Sequence, residues 1–408
     1  MARAAWLTAE SRVVLFSSVG SLPLHLTAVL AATAGSAGGI GGVAPGVLTG
    51  AALLGLFASS GTRSSGLLDS IWRVRWLAPL RPVMGHPAAT ILPQLLLLAA
   101  LPFVTGTLAL AGWFAVGWIS GIYMFTGMVA AASGVSKFFG FMARLSAAMV
   151  LAGVIALAVQ WTHFGEPYMR LCLFYALVVL VVALILRPDR RIVTAAPSLR
   201  ADIPSRYGEQ LVALFGLLGF FLAAMMFVSN MNAFLNPPGS LFDRTAGSVG
   251  VSKIAAGAIL TVTVALWRRD STVRFVVTAI GLIATMILLD GAEGLAISLS
   301  ILVAFEITLN VGGSAAMAEV ARVGNPFIKR MIPTVGLAGV AAGPMVGAAI
   351  LSLGSAGWVR WFAVLLMGLS VVAILAVHRV AIRRRRRRSA AGLANPGHDS
   401  TLALSAAG

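Results

Sequence analysis

Charged side chains and cysteine are scarce in this 408-residue sequence. Only 11% of the residues are Asp, Glu, Lys or Arg, and Cys172 is the single cysteine. One cysteine inside an apolar run argues against a disulfide framework or a thiolate metal site. The sequence also lacks a G-x-x-x-x-G-K-[ST] nucleotide loop, an H-E-x-x-H zinc motif and a nucleophile elbow. We therefore expect no metal, no cofactor and no enzymatic activity.

Apolar sequence is abundant instead, at 59% of the residues and a mean hydropathy of +0.94. A soluble domain of this length cannot bury so much apolar surface, so the bilayer is the expected solvent. Crossing its hydrocarbon core takes ~20 apolar residues per helix. We predict an all-α polytopic membrane protein with twelve transmembrane helices at about 13–33, 40–60, 88–106, 109–132, 144–161, 169–186, 209–229, 247–267, 274–290, 294–313, 331–354 and 358–378.

Basic residues give a net charge of +17 and lie between or beyond the apolar runs. The block Arg383–Arg388 favours an anchor against anionic lipid over a nucleic-acid site. With the N-terminus in the cytoplasm, the only Lys and Arg residues placed outside are Arg170, Arg244, Lys253 and Arg360. Positive charge near a span resists translocation, so we predict that both termini are cytoplasmic.

The most polar interior segment, 187–207, carries five arginines and three prolines and separates two halves that repeat. The run TAGSAG at 33–38 matches TAGSVG at 245–250, and FMAR followed by LAGV at 141–154 matches FIKR followed by LAGV at 327–340. Six plus six spans in the same sense form a parallel repeat. The predicted divisions are an N-terminal half, a cytoplasmic central loop, a C-terminal half and a basic, then disordered tail, at 1–187, 188–207, 208–382 and 383–408.

In this organisation the chain resembles the major facilitator superfamily of secondary transporters, over about residues 10 to 380. That family's G-x-L-x-D-R-x-G-R-R signature is similar to GLLDSIWRVR at 66–75, although Ser70 and Trp72 depart from it. The resemblance implies a cytoplasmic gating latch made by Gly66, Asp69, Arg73 and Arg75. An interfacial amphipathic helix, with Trp72 and Trp76 at headgroup level, is the alternative.

Two further features of this sequence differ from those of the proton-coupled exporters that resemble this family. The fourth span has Tyr123 where they carry an arginine, and a glycine-proline run stands in span eleven instead of span five. Small residues every four positions let helices approach closely, and a proline bends the helix. We predict helix packing between the halves, rather than substrate contact, for Gly339, Gly343, Pro344 and Gly347.

Glu306 is the strongest candidate for chemistry. It lies in mid-span, where a charge costs ~2.5–3.5 kcal/mol or more and usually faces a cavity. Asn310 follows one turn later on the same stripe. His25 in span one is the second candidate, because an imidazole titrates near neutral pH. We predict proton coupling or substrate binding for Glu306, His25 and Asn310; the alternatives are a protonated glutamic acid and a neutral core imidazole.

The resemblance implies that spans one, four, seven and ten line a central cavity. Trp118, Tyr123 and Phe221 are candidates for its wall and Asn230 for its entrance, with packed core, lipid contact or a helix cap as alternatives. Lys253 is expected to reach the outer surface from the start of span eight. No buried Arg or Lys is then evident in the cavity, so neutral, apolar or cationic substrates are favoured over anions.

We therefore predict a monomeric, multi-pass secondary transporter of the bacterial cytoplasmic membrane, working by proton-coupled export of a small molecule, as an efflux antiporter. Its expected partners are the substrate, protons and the lipid bilayer, and not nucleic acid. Proton-driven or facilitated uptake of a metabolite is the alternative within transport. A membrane scaffold or enzyme is the alternative of another class.

Overall fold

The computed structural model describes residues 17–36, 45–64, 87–131, 137–186, 208–231, 243–266, 271–289, 295–323 and 326–393. Within these ranges the chain is helical apart from short turns, and they contain no strand. The prediction of an all-α protein is confirmed for this part of the chain.

The first helical stretch, 17–36, is interrupted at Ser21 and Leu26, which leaves the short helix α1 (Leu22–His25) and α2 (Thr27–Ser36). The remaining helices of the predicted N-terminal half are α3 (Pro45–Ser64), α4 (Pro87–Ala100), α5 (Gly106–Ala131), α6 (Lys137–Trp161) and α7 (Pro167–Leu186). The predicted C-terminal half contains α8 (Gly208–Ser229), α9 (Asp243–Leu266), α10 (Ser271–Leu288), α11 (Leu295–Val323), α12 (Pro326–Leu353) and α13 (Ala356–Leu393).

The break in the first stretch has a local cause. Pro23 has no backbone N–H, so the helical hydrogen-bond ladder is interrupted and restarts around it. Hydroxyl groups donate hydrogen bonds to backbone carbonyl oxygens at the break. Thr27 Oγ1 donates to the oxygen of Leu24 at 2.7 Å, and Ser21 Oγ donates to that of Ser17 at 3.1 Å. Such bonds make a broken helix tolerable where no water is at hand. The break leaves His25 at the end of α1.

Seven helices within the described residues are long and apolar enough to cross a membrane, namely α5, α6, α7, α8, α11, α12 and α13. Shorter apolar stretches lie at Gly46–Ser59, Ile91–Phe103, Gly247–Leu260 and Thr272–Leu288. Large apolar side chains also cover the outside of the bundle, as at Leu96 and Leu184, which are 62% and 68% exposed. The chain is therefore a multi-pass membrane protein. Twelve spans and cytoplasmic termini stay predictions.

Two close helix crossings join the predicted halves. A Cβ atom on Gly250 of α9 would lie 3.0 Å from the carbonyl oxygen of Gly153 on α6. A Cβ on Gly46 of α3 would lie 2.8 Å from the oxygen of Pro344 on α12. Glycine at these points lets the backbones approach without a clash. Three of these four helices, α6, α9 and α12, also line the cavity described below.

The glycine run of α12 mainly packs against α8. Cβ atoms on Gly339 and Gly343 would lie 2.5 and 2.8 Å from the oxygens of Leu218 and Leu222, and one on Gly347 would meet the side chain of Asn230. These contacts agree with a helix-packing role, but the three glycines pack against a helix of the same predicted half and not between the halves. Pro344 does contact the other half, because its carbonyl oxygen faces Gly46 of α3.

The gating signature (Gly66, Asp69, Arg73 and Arg75), the central loop and the end of the tail lie outside the described residues. The last helix, α13, continues through the arginine block to Leu393, well beyond the predicted span, and the tail after it is not described.

Candidate functional site

A cavity of about 130 Å³ lies between helices of both predicted halves. Elements α1, α5 and α6 line it on one side, and α8, α9, α11 and α12 on the other. All four spans that the family resemblance implied contribute, together with spans five, eight and eleven. Its polar lining consists of Ser21, His25, Arg144, Lys253, Glu306, Asn310 and Ser314.

Lys253 and Glu306 form a buried ion pair in the wall of this cavity, across α9 and α11. The Lys253 ammonium donates a hydrogen bond to Glu306 Oε1, and the two residues are 3% and 4% exposed. Lys253 lies ten residues into α9, or ~15 Å from its first residue. The expectation that Lys253 reaches the outer surface is wrong, because α9 begins at Asp243 and places this side chain deep in the bundle. A charge at that depth needs a partner, and Glu306 supplies it.

Asn310 lies one turn beyond Glu306 and also lines the cavity. Its Nδ2 donates to the backbone oxygen of Glu306 at 2.8 Å. This bond fixes the amide against its own helix. Glu306 and Asn310, predicted to lie on one stripe, therefore both face the cavity, and Gly313 of the same helix lines it as well.

His25 reaches the same cavity from α1 and is 4% exposed. Among the residues that the structure describes, none makes a hydrogen bond with its Nε2 atom. A buried polar atom without a partner costs ~1–3 kcal/mol, so such atoms in a cavity wall commonly bind a ligand or water. His25 and Glu306, both candidates for proton coupling or substrate binding, thus line the same cavity.

Arg144 of α6 also lines the cavity and was not a sequence candidate. Its Nη1 donates to Ser17 Oγ at 3.2 Å, while Ser18 Oγ donates to the Arg144 carbonyl at 3.0 Å. These bonds fix the start of span five against the first helical stretch. The premise that the cavity lacks a buried basic residue is wrong, since Arg144 and Lys253 both line it.

The predicted aromatic wall is only partly in place. The ring of Phe221 lies in the cavity wall, where Cβ atoms on Gly313 and Gly336 would come within 3.1 and 3.2 Å of it. Tyr123 and Trp118 pack in the core of the bundle and are not among the described residues that line the cavity.

Asn230 is not part of this lining either. Its Nδ2 donates to the carbonyl oxygen of Met226 at 2.8 Å and to Ser229 Oγ at 3.1 Å, at the end of α8. This geometry is that of a residue closing the helix, which was the alternative to an entrance role.

A second polar cluster surrounds Glu319, which sequence reasoning overlooked. Its buried carboxylate accepts a hydrogen bond from Thr272 Oγ1 at 3.0 Å. Arg322 Nη1 lies 3.4 Å and His378 Nδ1 3.0 Å from its oxygens. The cluster ties α11 to α10 and α13. Glu319 lies thirteen residues beyond Glu306, or ~20 Å along α11, and is not among the described residues that line the cavity.

No protein-family model matches the sequence, and no curated protein matches it. Solved structures do match the fold. A crystal structure of FucP, a major facilitator superfamily transporter in the outward conformation, matches with a TM-score of 0.53 and 13% identity, over 91% of this chain and 99% of that one. The human organic anion transporter MFSD10 (TETRAN) matches with a TM-score of 0.58 and 16% identity, over 91% of this chain and 100% of that one. The chain therefore has the fold of the major facilitator superfamily.

Proposed function

We propose that this chain is a secondary active transporter that moves a small molecule across the bacterial cytoplasmic membrane by alternating access, as a monomer. The observation that carries the proposal is the buried pair of Lys253 and Glu306 in a cavity that both predicted halves line. A site between two halves changes its accessibility when the halves rock against each other. The fold that the chain shares with FucP and MFSD10 supports this reading.

We propose further that protons drive transport through Glu306. When its carboxylate takes up a proton, it loses the charge that holds the ammonium of Lys253. Lys253 is then free to bind another group, and release of the proton restores the pair. The protonation state of one residue thereby controls whether a second residue can bind substrate.

The sign of the substrate's charge decides the direction of coupling. A cation that replaces the proton on Glu306 would compete with it, which gives antiport and export. A ligand that takes Lys253 would bind together with the proton, which gives symport and uptake. The sequence favoured export of a neutral, apolar or cationic molecule because no basic residue was evident in the cavity. Since Arg144 and Lys253 line it, we favour uptake, the alternative.

The proposal is tested with purified protein in sealed liposomes, to which a panel of labelled small acids, amines and neutral compounds is added from outside. A proton gradient directed into the liposomes should drive accumulation of at least one compound above its equilibrium level, and protein-free liposomes should not show it. If correctly folded protein moves none of the panel, with or without a gradient, the transporter reading fails and a scaffold or enzyme role takes its place.

A further inference from the structure

We infer that the substrate is a small amphipathic monoanion, such as a carboxylate with a compact apolar body, whose head replaces Glu306 as the partner of Lys253. This inference rests on the proposed transport function and specifies the substrate class of the same cavity. Charge, donor placement, cavity size and coupling each support it.

The charges of the lining favour an anion. Among the described residues that line the cavity, Glu306 is the one acidic residue. Two basic residues, Arg144 and Lys253, line it as well. Lys253 and Glu306 cancel each other while both are ionised, and protonation of Glu306 leaves a formal charge of about +1 on the pair. In a site of low dielectric constant, an anion offsets that excess and a cation adds to it.

The donors come from different parts of the fold. Lys253 belongs to the predicted C-terminal half, whereas His25 and Arg144 belong to the N-terminal half. The Nε2 atom of His25 is buried at this wall and has no hydrogen-bond partner among the described residues. A carboxylate has two oxygens that can accept from separate donors. An anion held by His25 and Lys253 would bridge the halves, as a ligand that moves between two access states must.

The rest of the cavity fits an apolar body of limited size. Its apolar lining includes Met124, Phe221, Met225, Leu309 and Val340. The volume of about 130 Å³ is close to that of a cavity of ~150 Å³ that holds a benzene molecule. The cavity therefore has room for a body about the size of one ring or a short branched chain.

Coupling follows from the same charges. A proton from solvent binds a Glu306 oxygen, the ammonium of Lys253 keeps its own protons, and the anion takes the vacated place. The pair of Lys253 and Glu306 with its contents has a formal charge of about zero before loading and again after it, because a proton and a monoanion enter together. Loaded and empty cavities therefore meet a similar electrostatic barrier when access alternates. The process is electroneutral symport.

The groups that face Glu306 are few. Lys253 on α9 contacts it, and His25 on α1 and Arg144 on α6 share its cavity. Helices α8, α10, α12 and α13 also pack against α11 but contribute no titratable side chain to the lining among the described residues. The histidine of α13, His378, contacts Glu319 and not Glu306. Protonation of Glu306 is thus the event that should set the pH dependence of anion binding.

Four compounds that share one ring separate the substrate classes: benzoate, benzenesulfonate, benzamide and benzylamine. Binding to the purified full-length protein is measured by its thermal stabilisation in mildly acidic and mildly alkaline buffer. Benzoate and benzenesulfonate should stabilise it, more strongly in acid, and benzamide and benzylamine should not. Benzamide or benzylamine binding as tightly as benzoate would overturn the inference, and so would the absence of any benzoate binding.

Variants test the role of the pair. Glu306→Gln should bind benzoate about tenfold or more tightly than wild type in alkaline buffer, and equally at both pH values, because Lys253 is permanently released. Lys253→Met/Glu306→Gln, which removes both charges, should lose that gain. The exposed Glu166→Gln should behave as wild type. Unchanged benzoate affinity and pH dependence in Glu306→Gln would contradict the inference.

The two proposals fail in different ways. If benzoate binds as described but no compound of the transport panel crosses the liposome membrane, the transport function is wrong. If a neutral or cationic compound is accumulated and benzoate does not bind, transport stands and the anion inference falls. If Glu306→Gln cannot be purified, the comparison of the four compounds on wild-type protein still decides the substrate class.

Discussion

Lys253 donates a hydrogen bond to Glu306 across α9 and α11, and both side chains are buried in the wall of a cavity. Each residue lies well inside its helix and away from the helix ends, so the helix itself positions the side chain deep in the bundle. Two opposite charges in such a place stabilise each other while they stay together. Separating them, by protonation or by a ligand, is therefore a discrete event that alters what the cavity can bind.

Removing one partner of this pair should be more harmful than removing both. Lys253→Met leaves Glu306 as an uncompensated buried carboxylate, and such losses cost about 3–5 kcal/mol. The thermal unfolding temperature of Lys253→Met should therefore fall clearly at neutral pH. Lys253→Met/Glu306→Gln should unfold near the wild-type temperature. A single variant as stable as wild type at neutral pH would show that the pair does not stabilise the fold.

The crossing of α8 and α12 predicts a strong effect of size at Gly343. A side chain there would meet the Leu222 oxygen and the Met226 nitrogen, each 2.8 Å from the Cβ position. Backbone atoms cannot turn aside, so Gly343→Leu should destabilise the protein by at least about 1–3 kcal/mol. Gly368→Leu is the matched control, because a Cβ at Gly368 meets nothing within 4 Å. Equal unfolding temperatures in the two variants would contradict this packing.

Glu319 should contribute to stability and not to transport. Glu319→Ala removes the acceptor of Thr272 and the partner of Arg322 and His378. Leaving buried polar groups without partners costs ~1–3 kcal/mol, and the unfolding temperature should fall accordingly. Since Glu319 is not among the described residues that line the cavity, benzoate affinity should be unchanged in folded protein. A loss of affinity without a loss of stability would place Glu319 in the binding mechanism.

The predicted orientation can be tested by labelling. Cysteines introduced at Ser198 and Ser400 should be shielded from an impermeant thiol reagent in intact cells, because the charge distribution places the central loop and the tail inside. A cysteine at Ser240 should react from outside. Cys172 is buried and gives little background. Labelling of the Ser198 position in intact cells would contradict the topology.

Hydrophobic patterning predicted the helical membrane fold. The cost of a charge at mid-span singled out Glu306, the titration range of an imidazole singled out His25, and the family resemblance assigned their spans to one cavity. Lys253 was assigned to the outer surface instead of the cavity, and Arg144 was not a candidate. Each stands near a predicted span end, where a long basic side chain usually reaches the headgroups. Whether it does so depends on where the helix begins and which neighbour it faces, and a single sequence fixes neither.

The same limit applies to packing. Glycines every four residues predicted a close crossing of α12, but Gly339 and Gly343 face α8 and not the other half. Small residues show that a neighbour comes close and do not show which neighbour it is. Phe221 lines the cavity, whereas Tyr123 packs in the core. Both are large aromatic residues, and a single sequence does not show how far each helix is rotated about its axis.

The most direct test of the central claim, that Glu306 couples protons to transport, uses Glu306→Gln in sealed liposomes with a labelled compound that the wild-type protein accumulates. The glutamine keeps the size and hydrogen-bonding capacity of the side chain and cannot titrate, and Glu166→Gln serves as the control. Exchange of the compound without a gradient should persist in Glu306→Gln, whereas accumulation driven by a pH gradient should disappear. Accumulation at the wild-type rate, with the wild-type pH dependence, would show that Glu306 is a structural residue.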